Sequence, residues 1–477
     1  MSEAEIPIEL DRNSPMSLAA QVASKLRTAI LNGILQPEHT LPATRRLATE
    51  LGISRGVVVR AFEQLAGEGF LESNGSGGTK VAVRPDMQPR PFNGKQPSRT
   101  PLPTDVIDLT PGRPSGSPFQ DRQWRSAWKS AIGEQGNIQL PPALGTMALR
   151  EAVADHLAVS RGLAVDAEDV IITGGTSDAL HLVVAMLRNR SPQPRILVED
   201  PGYPTARRVM TAAGAQLATV PVDQNGLDSS QLALLEDIPD AVLVTPSHQY
   251  PLGGRMAVQE RLGLLKWADQ HGVLVLEDDY DSEFRHSRMP LPAMASLPSA
   301  ADVVLLGTFS KNLSPWLRCG YLVVRGNAGE MLKATREALD TPVAGVLQSA
   351  IAHYIKGGGL SRHITRARRE YAHRRSLLID RLNPRDDLEL TALDGGLHAV
   401  IRFKSPDATS VATKALELGV RVVPLAGYYA DRPAENGLVV GYGAVSDLQL
   451  AKALAVLSGL IGGGAQGLRS DPSDEQP

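Results

Sequence analysis

Cysteine is almost missing from this sequence of 477 residues, and Cys319 stands alone. A disulfide framework and a multi-cysteine zinc site are thereby excluded, and a reducing compartment is expected. No run of about 18 uncharged apolar residues occurs, which argues against an ordinary membrane-spanning helix. The opening residues MSEAEIPIELDRN are acidic and have no apolar core, so no secretory signal and a cytoplasmic location are expected. Net charge is scarce too: 49 Lys plus Arg against 52 Asp plus Glu leave −3, which by itself suggests no nucleic-acid partner. What is abundant is apolar material, 42% of residues. That suffices for more than one core, and at roughly 150 residues per domain the length suits about three units.

Proline is concentrated in one place. Pro85, Pro89, Pro91, Pro97, Pro101 and Pro103 crowd a segment that can be neither helix nor central strand. It predicts a semi-extended tether over 84–107, of which the twenty residues from Arg84 to Pro103 alone would reach roughly 60 Å at about 3.1 Å per residue. A polar, glycine-rich tail is expected over 462–477. Between them, 108–461, short apolar runs at Val170–Ile172, Arg195–Val198, Ala241–Val244, Val273–Leu276, Val303–Leu306 and Tyr321–Val324 alternate with helical patterns. Runs of this kind signal strands buried on both faces, hence an α/β domain with a mostly parallel sheet.

The first unit, 12–83, reads differently. A helical pattern from Pro15 to Asn32 stops at Gly33, Thr44 can cap a short helix ending near Leu51, and Ser54 can cap another after a turn at Gly52. A glycine-rich hairpin follows, so helix, turn, helix and wing are predicted. The average charge hides a local excess: between Arg45 and Arg60 there are four arginines and one acid, Glu50. Arg55 stands in the first turn of the second helix, where a planar guanidinium suits a guanine edge in double-stranded DNA. Arg45, Ser54, Thr79 and Lys80 suit phosphate contacts. The segment LPATRRLATELGISRG resembles the DNA-binding domain of the GntR family. That resemblance implies Arg45, Ser54, Arg55 and wing residues near Gly77 as DNA contacts.

In the large unit the central signal is GTFSKNLSPWLR, 307–318, between two apolar strands. A lysine placed there must be paired or uncharged, and an imine with an aldehyde cofactor satisfies that need. Thr308, Ser310 and Arg318 offer the hydroxyls and guanidinium that a phosphate requires. In VLVLEDDYDSEF, Asp278 is expected to hold a pyridine nitrogen and Tyr280 a ring oxygen. In IITGGTSDAL, Gly175, Thr176 and Ser177 open a helix after a strand, a place for a phosphate. Tyr203 of EDPGYP can stack on a ring, and His248 of TPSHQYPLGG can bond its edge.

Taken in this order and spacing, the motifs EDPGYP, TPSHQYPLGG, EDDYDSEF and GTFSKNLSPWLR resemble the aminotransferase-like domain of the MocR subgroup of GntR regulators. The resemblance implies an N-terminal winged helix-turn-helix and a fold type I aminotransferase domain with a smaller α+β C-terminal lobe. It also implies pyridoxal 5′-phosphate on Lys311 and a domain-swapped homodimer, for which the tether is long enough.

The sequence departs from a working aminotransferase in one respect. The late strand Gly437–Tyr442 lacks the arginine that would hold a substrate carboxylate, and the partner tyrosine expected near Pro141–Gly145 is missing as well. Arg432 and Arg207, with its neighbour Arg208, are the alternative anion binders. The favoured reading is therefore a transcriptional regulator of vitamin B6 or amine metabolism, sensing pyridoxal phosphate or an amino compound, with no catalytic residue and no metal assigned. The alternative is an active aminotransferase with an accessory DNA-binding head. A DNA binder with a dead cofactor fold is disfavoured by the survival of Lys311, Asp278, Tyr280 and Arg318.

Overall fold

The computed structural model describes residues 8–74, 78–82, 106–116, 121–134, 140–286, 292–382, 387–431 and 435–462. They belong to two compact units, 1–100 and 101–477, taken here in turn.

In the first unit α1 (Leu18–Leu31) starts after Ser17, whose hydroxyl accepts from the Ala20 amide, and ends at Asn32 before Gly33 at φ +75°. The cap explains why the helix is shorter than the Pro15–Asn32 pattern. Next come α2 (Thr44–Glu50) and α3 (Arg55–Gly67), joined through Gly52 at φ +62°. Thr44 is the first helical residue of α2 rather than its cap, and Ser54 precedes α3 without a side-chain hydrogen bond to it. The wing is the antiparallel pair β1 (Leu71–Asn74) and β2 (Gly78–Val81), with Leu71 opposite Val81. Val22, Leu26, Leu47, Val58, Leu65, Leu71 and Val81 form one buried core across all five elements.

The second unit opens with β3 (Ile107–Asp108), so Ile107, assigned to the tether by composition, is already strand. Residues 83–105 and 463–477 lie outside the described residues. The helices α4 (Arg122–Gly133) and α5 (Met147–Arg161) lead into a sheet made of β4 (Val170–Thr173), β5 (Arg195–Asp200), β6 (Gln216–Asp223), β7 (Gly226–Leu227), β8 (Ala241–Val244), β9 (Leu274–Asp279), β10 (Val303–Thr308) and β11 (Gly320–Val323). Their order is β4-β11-β10-β9-β8-β5-β6-β7. The central neighbours pair parallel, while β11 runs antiparallel between β10 and β4. Each apolar run picked out by composition is one of these strands, and apolar clusters cover both faces. The helices α6 (Thr176–Arg188), α7 (Pro204–Ala212), α8 (Val258–His271) and the short α9 (Phe309–Asn312) follow individual strands. A smaller lobe carries the antiparallel order β12-β13-β16-β15, in which β12 is Leu388–Thr391, β13 His398–Phe403, β15 Val423–Pro424 and β16 Gly437–Gly441. The remaining strand, β14 (Val420–Arg421), pairs with β3 and draws the start of this unit onto the small lobe.

Within β10, Gly307 lies opposite Tyr321 of β11, and an added Cβ would come within 2.1 Å of the Tyr321 ring. The ring occupies the space a side chain would take, and the sheet interior leaves it nowhere to go. Gly307→Ala is therefore expected to cost about 1–3 kcal/mol or more, read as a lower denaturant midpoint at unchanged slope.

Candidate functional site

The chemistry-bearing residues of the second unit meet where the parallel strands end, the edge at which open α/β sheets bind ligands. A cleft of about 640 Å³ lies there, walled by the ends of β9 and β10, the start of α6, the loop before α7 and the small lobe. Lys311, Asp278, Tyr280, Thr308, Ser310, Arg318, Tyr203, Thr176 and Ser177 all line it, so nearly every cofactor residue expected from the motifs converges on one space.

Lys311 stands on the single turn of α9 after β10. Its Nζ donates to the Gly112 carbonyl at 2.6 Å. Burial pulls its pKa below the ordinary amine value, opposed by the Asp281 and Asp278 carboxylates. Gly112 is at φ +81°, and a Cβ there would sit 2.5 Å from the lysine nitrogen. Only glycine permits this approach.

The acidic run that ends β9 divides by strand alternation. Asp278 faces the cleft, while Glu277 and Asp279 face the buried Arg161, whose nitrogens lie 3.7 and 2.9 Å from their oxygens. Burial, with Asp279 beside it, raises the Asp278 pKa to about 7, and its Oδ1 has no protein hydrogen-bond partner. A carboxyl held in that state suits a cationic ring nitrogen, which would restore its charge.

At the other end of the cleft, Gly175 at φ +91° precedes α6, leaving the first amides of that helix open to the cleft. The Arg318 guanidinium lies close by, 3.9 Å from where a Gly175 Cβ would be. Helix N-terminus, guanidinium and the Thr308 and Ser310 hydroxyls together make an anion cradle. The Thr308 Oγ1 also accepts from the Ser310 amide at 3.1 Å, which fixes the turn that presents Lys311. Amine, buried carboxyl and anion cradle are the three features a phosphorylated pyridine aldehyde requires, and the residues present fit it.

Two expected residues stand elsewhere. His248 is buried beside Tyr280 instead of lining the cleft, with its Nδ1 3.0 Å from the Tyr280 hydroxyl. Arg207 donates Nη1 to the Tyr428 carbonyl at 2.8 Å, and its neighbour Arg208 lines the cleft. Arg432 lies outside the described residues. Several lining residues were not singled out from sequence: Gly112, Arg421, Tyr250 and Tyr428. The Tyr250 ring packs edge-on to those of Tyr203, Tyr280 and Tyr428, forming an aromatic wall. The acids of EDPGYP are structural. Glu199 accepts from the Thr245 amide, and Asp200 accepts from the amides of Ala430 and Asp431, tying β5 to the small lobe. Cys319 is fully buried with its thiol pKa pushed up to about 12, consistent with packing.

On the head, Arg45, Arg46, Ser54, Arg55 and Arg60 are exposed along α2 and the start of α3. The Arg55 Nε lies 3.4 Å from the Thr44 hydroxyl, so the two helix starts present one surface. Thr79 and Lys80 are half-buried on β2, where Lys80 pairs with Glu38 at 3.2 Å, while Gly77 lies outside the described residues. No helix among the described residues is long and apolar enough to cross a membrane.

Residues 18–81 match the bacterial regulatory proteins of the gntR family, and residues 104–457 match aminotransferase class I and II. The chain is 39% identical to the HTH-type pyridoxine biosynthesis transcriptional regulator PdxR of Corynebacterium glutamicum, covering 96% of this chain and 99% of that protein. It is 32% identical to the probable rhizopine catabolism regulatory protein MocR of Rhizobium meliloti, over 91% and 92% of the two chains. Among solved structures, the α-aminoadipate aminotransferase LysN of Thermus thermophilus, complexed with N-(5′-phosphopyridoxyl)-L-leucine, superposes with a TM-score of 0.67. That match is at 26% identity over 75% of this chain and 92% of LysN.

The raised pKa of Asp278 has a consequence in the cofactor-free protein. A carboxyl near 3.9 when unfolded and about 7 when folded holds an extra proton in the folded chain between those values. Its burial is thus without penalty at pH 4, and stability is lost as pH rises towards 7. Asp278→Asn removes that loss, so its stability relative to the parent is expected to be higher at pH 8 than at pH 4.5 in chemical denaturation.

Proposed function

The chain belongs to the MocR-type regulators of the gntR family, which join a DNA-binding head to an aminotransferase class I and II domain, and on that premise we propose that it is a transcriptional regulator binding pyridoxal 5′-phosphate at Lys311. Pyridoxal phosphate, when bound, supplies an aldehyde that an amine captures and a protonated ring that draws electrons. Lys311 provides that amine, and its burial favours the uncharged, nucleophilic form. The free Oδ1 of Asp278 holds the proton of the ring nitrogen, and Tyr280 offers a hydroxyl to the ring oxygen. Tyr203 walls the ring, while Thr176, Ser177, Ser310 and Arg318 take the phosphate. The observation that carries this reading is the convergence of Lys311, Asp278 and Arg318 on one cleft in a chain that also carries a helix-turn-helix followed by the β1–β2 pair.

Sensing is favoured over turnover because β16 has no arginine to clamp a substrate carboxylate, and transamination depends on that orientation. The effector class is pyridoxal phosphate itself or an amine that competes for Lys311. The similarity to a pyridoxine biosynthesis regulator over the full chain supports control of vitamin B6 supply as the output. The protein acts as a homodimer on operator DNA, and the ligand acts by binding two dimer states unequally. DNA is read by Arg55 at the start of α3, with Arg45 and Ser54 on phosphates.

Two substitutions separate the two halves of this reading. Lys311→Ala is expected to abolish the visible absorption that the protein acquires with pyridoxal phosphate, and persistence of the band would remove Lys311 from the assignment. Arg55→Ala is expected to weaken specific operator binding by about 1–3 kcal/mol while leaving the band unchanged, measured by titration at constant salt. Rapid turnover of an amino acid with a keto-acid acceptor would favour the aminotransferase reading.

A further inference from the structure

His248 was expected on the ring edge, yet it stands behind Tyr280 in a setting that specifies its protonation. Its single Nδ1 lies 3.0 Å from the Tyr280 hydroxyl and 3.1 and 3.0 Å from the two carboxylate oxygens of Asp281. Both His248 and Asp281 are buried. The approach is built closely, because Gly396 of the small lobe packs against the pair. A Cβ at Gly396 would lie 2.3 Å from Asp281 Oδ2 and 2.8 Å from His248 Cε1.

A neutral imidazole carries one proton, and its place is set by what each nitrogen faces. With the proton on Nε2, the Nδ1 lone pair would face two carboxylate oxygens in a water-poor site, and it would consume the Tyr280 proton as acceptor. With the proton on Nδ1, the carboxylate accepts it, and the tyrosine cannot donate to that nitrogen. The opposite edge agrees. His248 Nε2 has no protein hydrogen-bond partner that would demand a proton there, and the hollow beside His248 is lined by Arg255 and Arg285 as well as Asp394.

We propose that Asp281 locks His248 in the Nδ1–H tautomer, and that this lock turns the Tyr280 hydroxyl proton into the cleft, where it serves the ring oxygen of the bound cofactor. His248 and Asp281 are thus positioning residues acting through Tyr280. The cofactor part rests on the reading of the cleft as a pyridoxal phosphate site, whereas the tautomer lock does not. The other titratable groups facing Tyr280 are Asp278, Glu199 and Tyr250, none of which has a hydrogen bond to its hydroxyl. On the side of His248, the His398 ring lies at 5.3 Å. It is neutral near pH 7, its pKa lowered to about 4 by burial, and its Nε2 donates to the Pro251 carbonyl. The remaining groups are Lys311 in the cleft, Asp394 across the hollow, and His286 and Tyr442 on the side of Asp281.

The test has two arms on the full-length protein. In the cofactor-free state, ¹⁵N-histidine NMR, with His248 assigned by loss of its signals in His248→Gln, is expected to show a protonated Nδ1 and a bare Nε2. Asp281→Asn is expected to convert this to a mixture or to the other tautomer, as an amide no longer demands the proton. A His248 protonated on Nε2 alone in the parent protein overturns the proposal. In the loaded state, the pH midpoint of the visible band is expected to rise by about half a unit or more in Tyr280→Phe, because a ring oxygen without its donor holds its shared proton more tightly. Asp281→Asn should shift it the same way, and the double variant no further than Tyr280→Phe alone. An unchanged midpoint in Asp281→Asn, or full additivity in the double variant, overturns the proposal. No visible band in the parent protein would instead overturn the cofactor reading and leave the NMR arm to decide the tautomer.

Discussion

The buried guanidinium of Arg161 allows the acidic end of β9 to exist. Three carboxyls in succession, Glu277, Asp278 and Asp279, would repel one another and resist desolvation if all faced the same interior. Strand alternation sends the first and third to Arg161, at the end of α5, and leaves the second to the cleft. Removing the counter-charge from such a pair exposes the full desolvation penalty of the remaining carboxylates. Burial raises the pKa of all three carboxyls even so, and Asp278 is the one of them that lines the cleft, where Lys311 rather than Arg161 opposes the shift. The binding chemistry of the cleft follows from that division of charges.

A similar economy holds around Lys311. Its amine is presented by one helical turn, capped by Thr308, and meets a carbonyl from Gly112, a residue 199 positions earlier. The segment carrying Gly112 reaches the cleft because β3 pairs with β14 of the small lobe. Tyr428, Arg421 and the Gly396 turn behind Asp281 come from the same lobe. The large sheet provides the reactive groups, and the small lobe closes and tunes the space around them.

Much of this was legible in the chain. The apolar runs marked six of the eight strands of the large sheet, and the polar residues just beyond them marked the binding edge, because backbone alternation and strand-end placement are local properties. The helix-turn-helix was legible despite a net charge of −3, since the relevant quantity is the charge of one surface and not the sum. Less was legible where orientation decides. Arg207 and Arg208 are adjacent on α7, about 100° apart around the helix, and only packing determines that the first caps a carbonyl while the second faces the cleft. His248 sits in a motif of ligand-binding appearance, yet the neighbours that give it a positioning role, Asp281, Gly396 and the Tyr280 hydroxyl, come from other elements.

The lone cysteine, the clustered prolines and the ordered motifs determined by themselves what kind of protein this is. They specify a DNA-binding head and an α/β domain with a lysine between two strands. These are matters of residue type and spacing, which short-range stereochemistry translates directly into elements. Only the tertiary structure decided which carboxyl of three faces the cleft, which of two arginines meets the ligand space, and which nitrogen of His248 faces a carboxylate. Each of those depends on contacts between residues tens to hundreds of positions apart, and burial alone gives such contacts enough energy to move a proton.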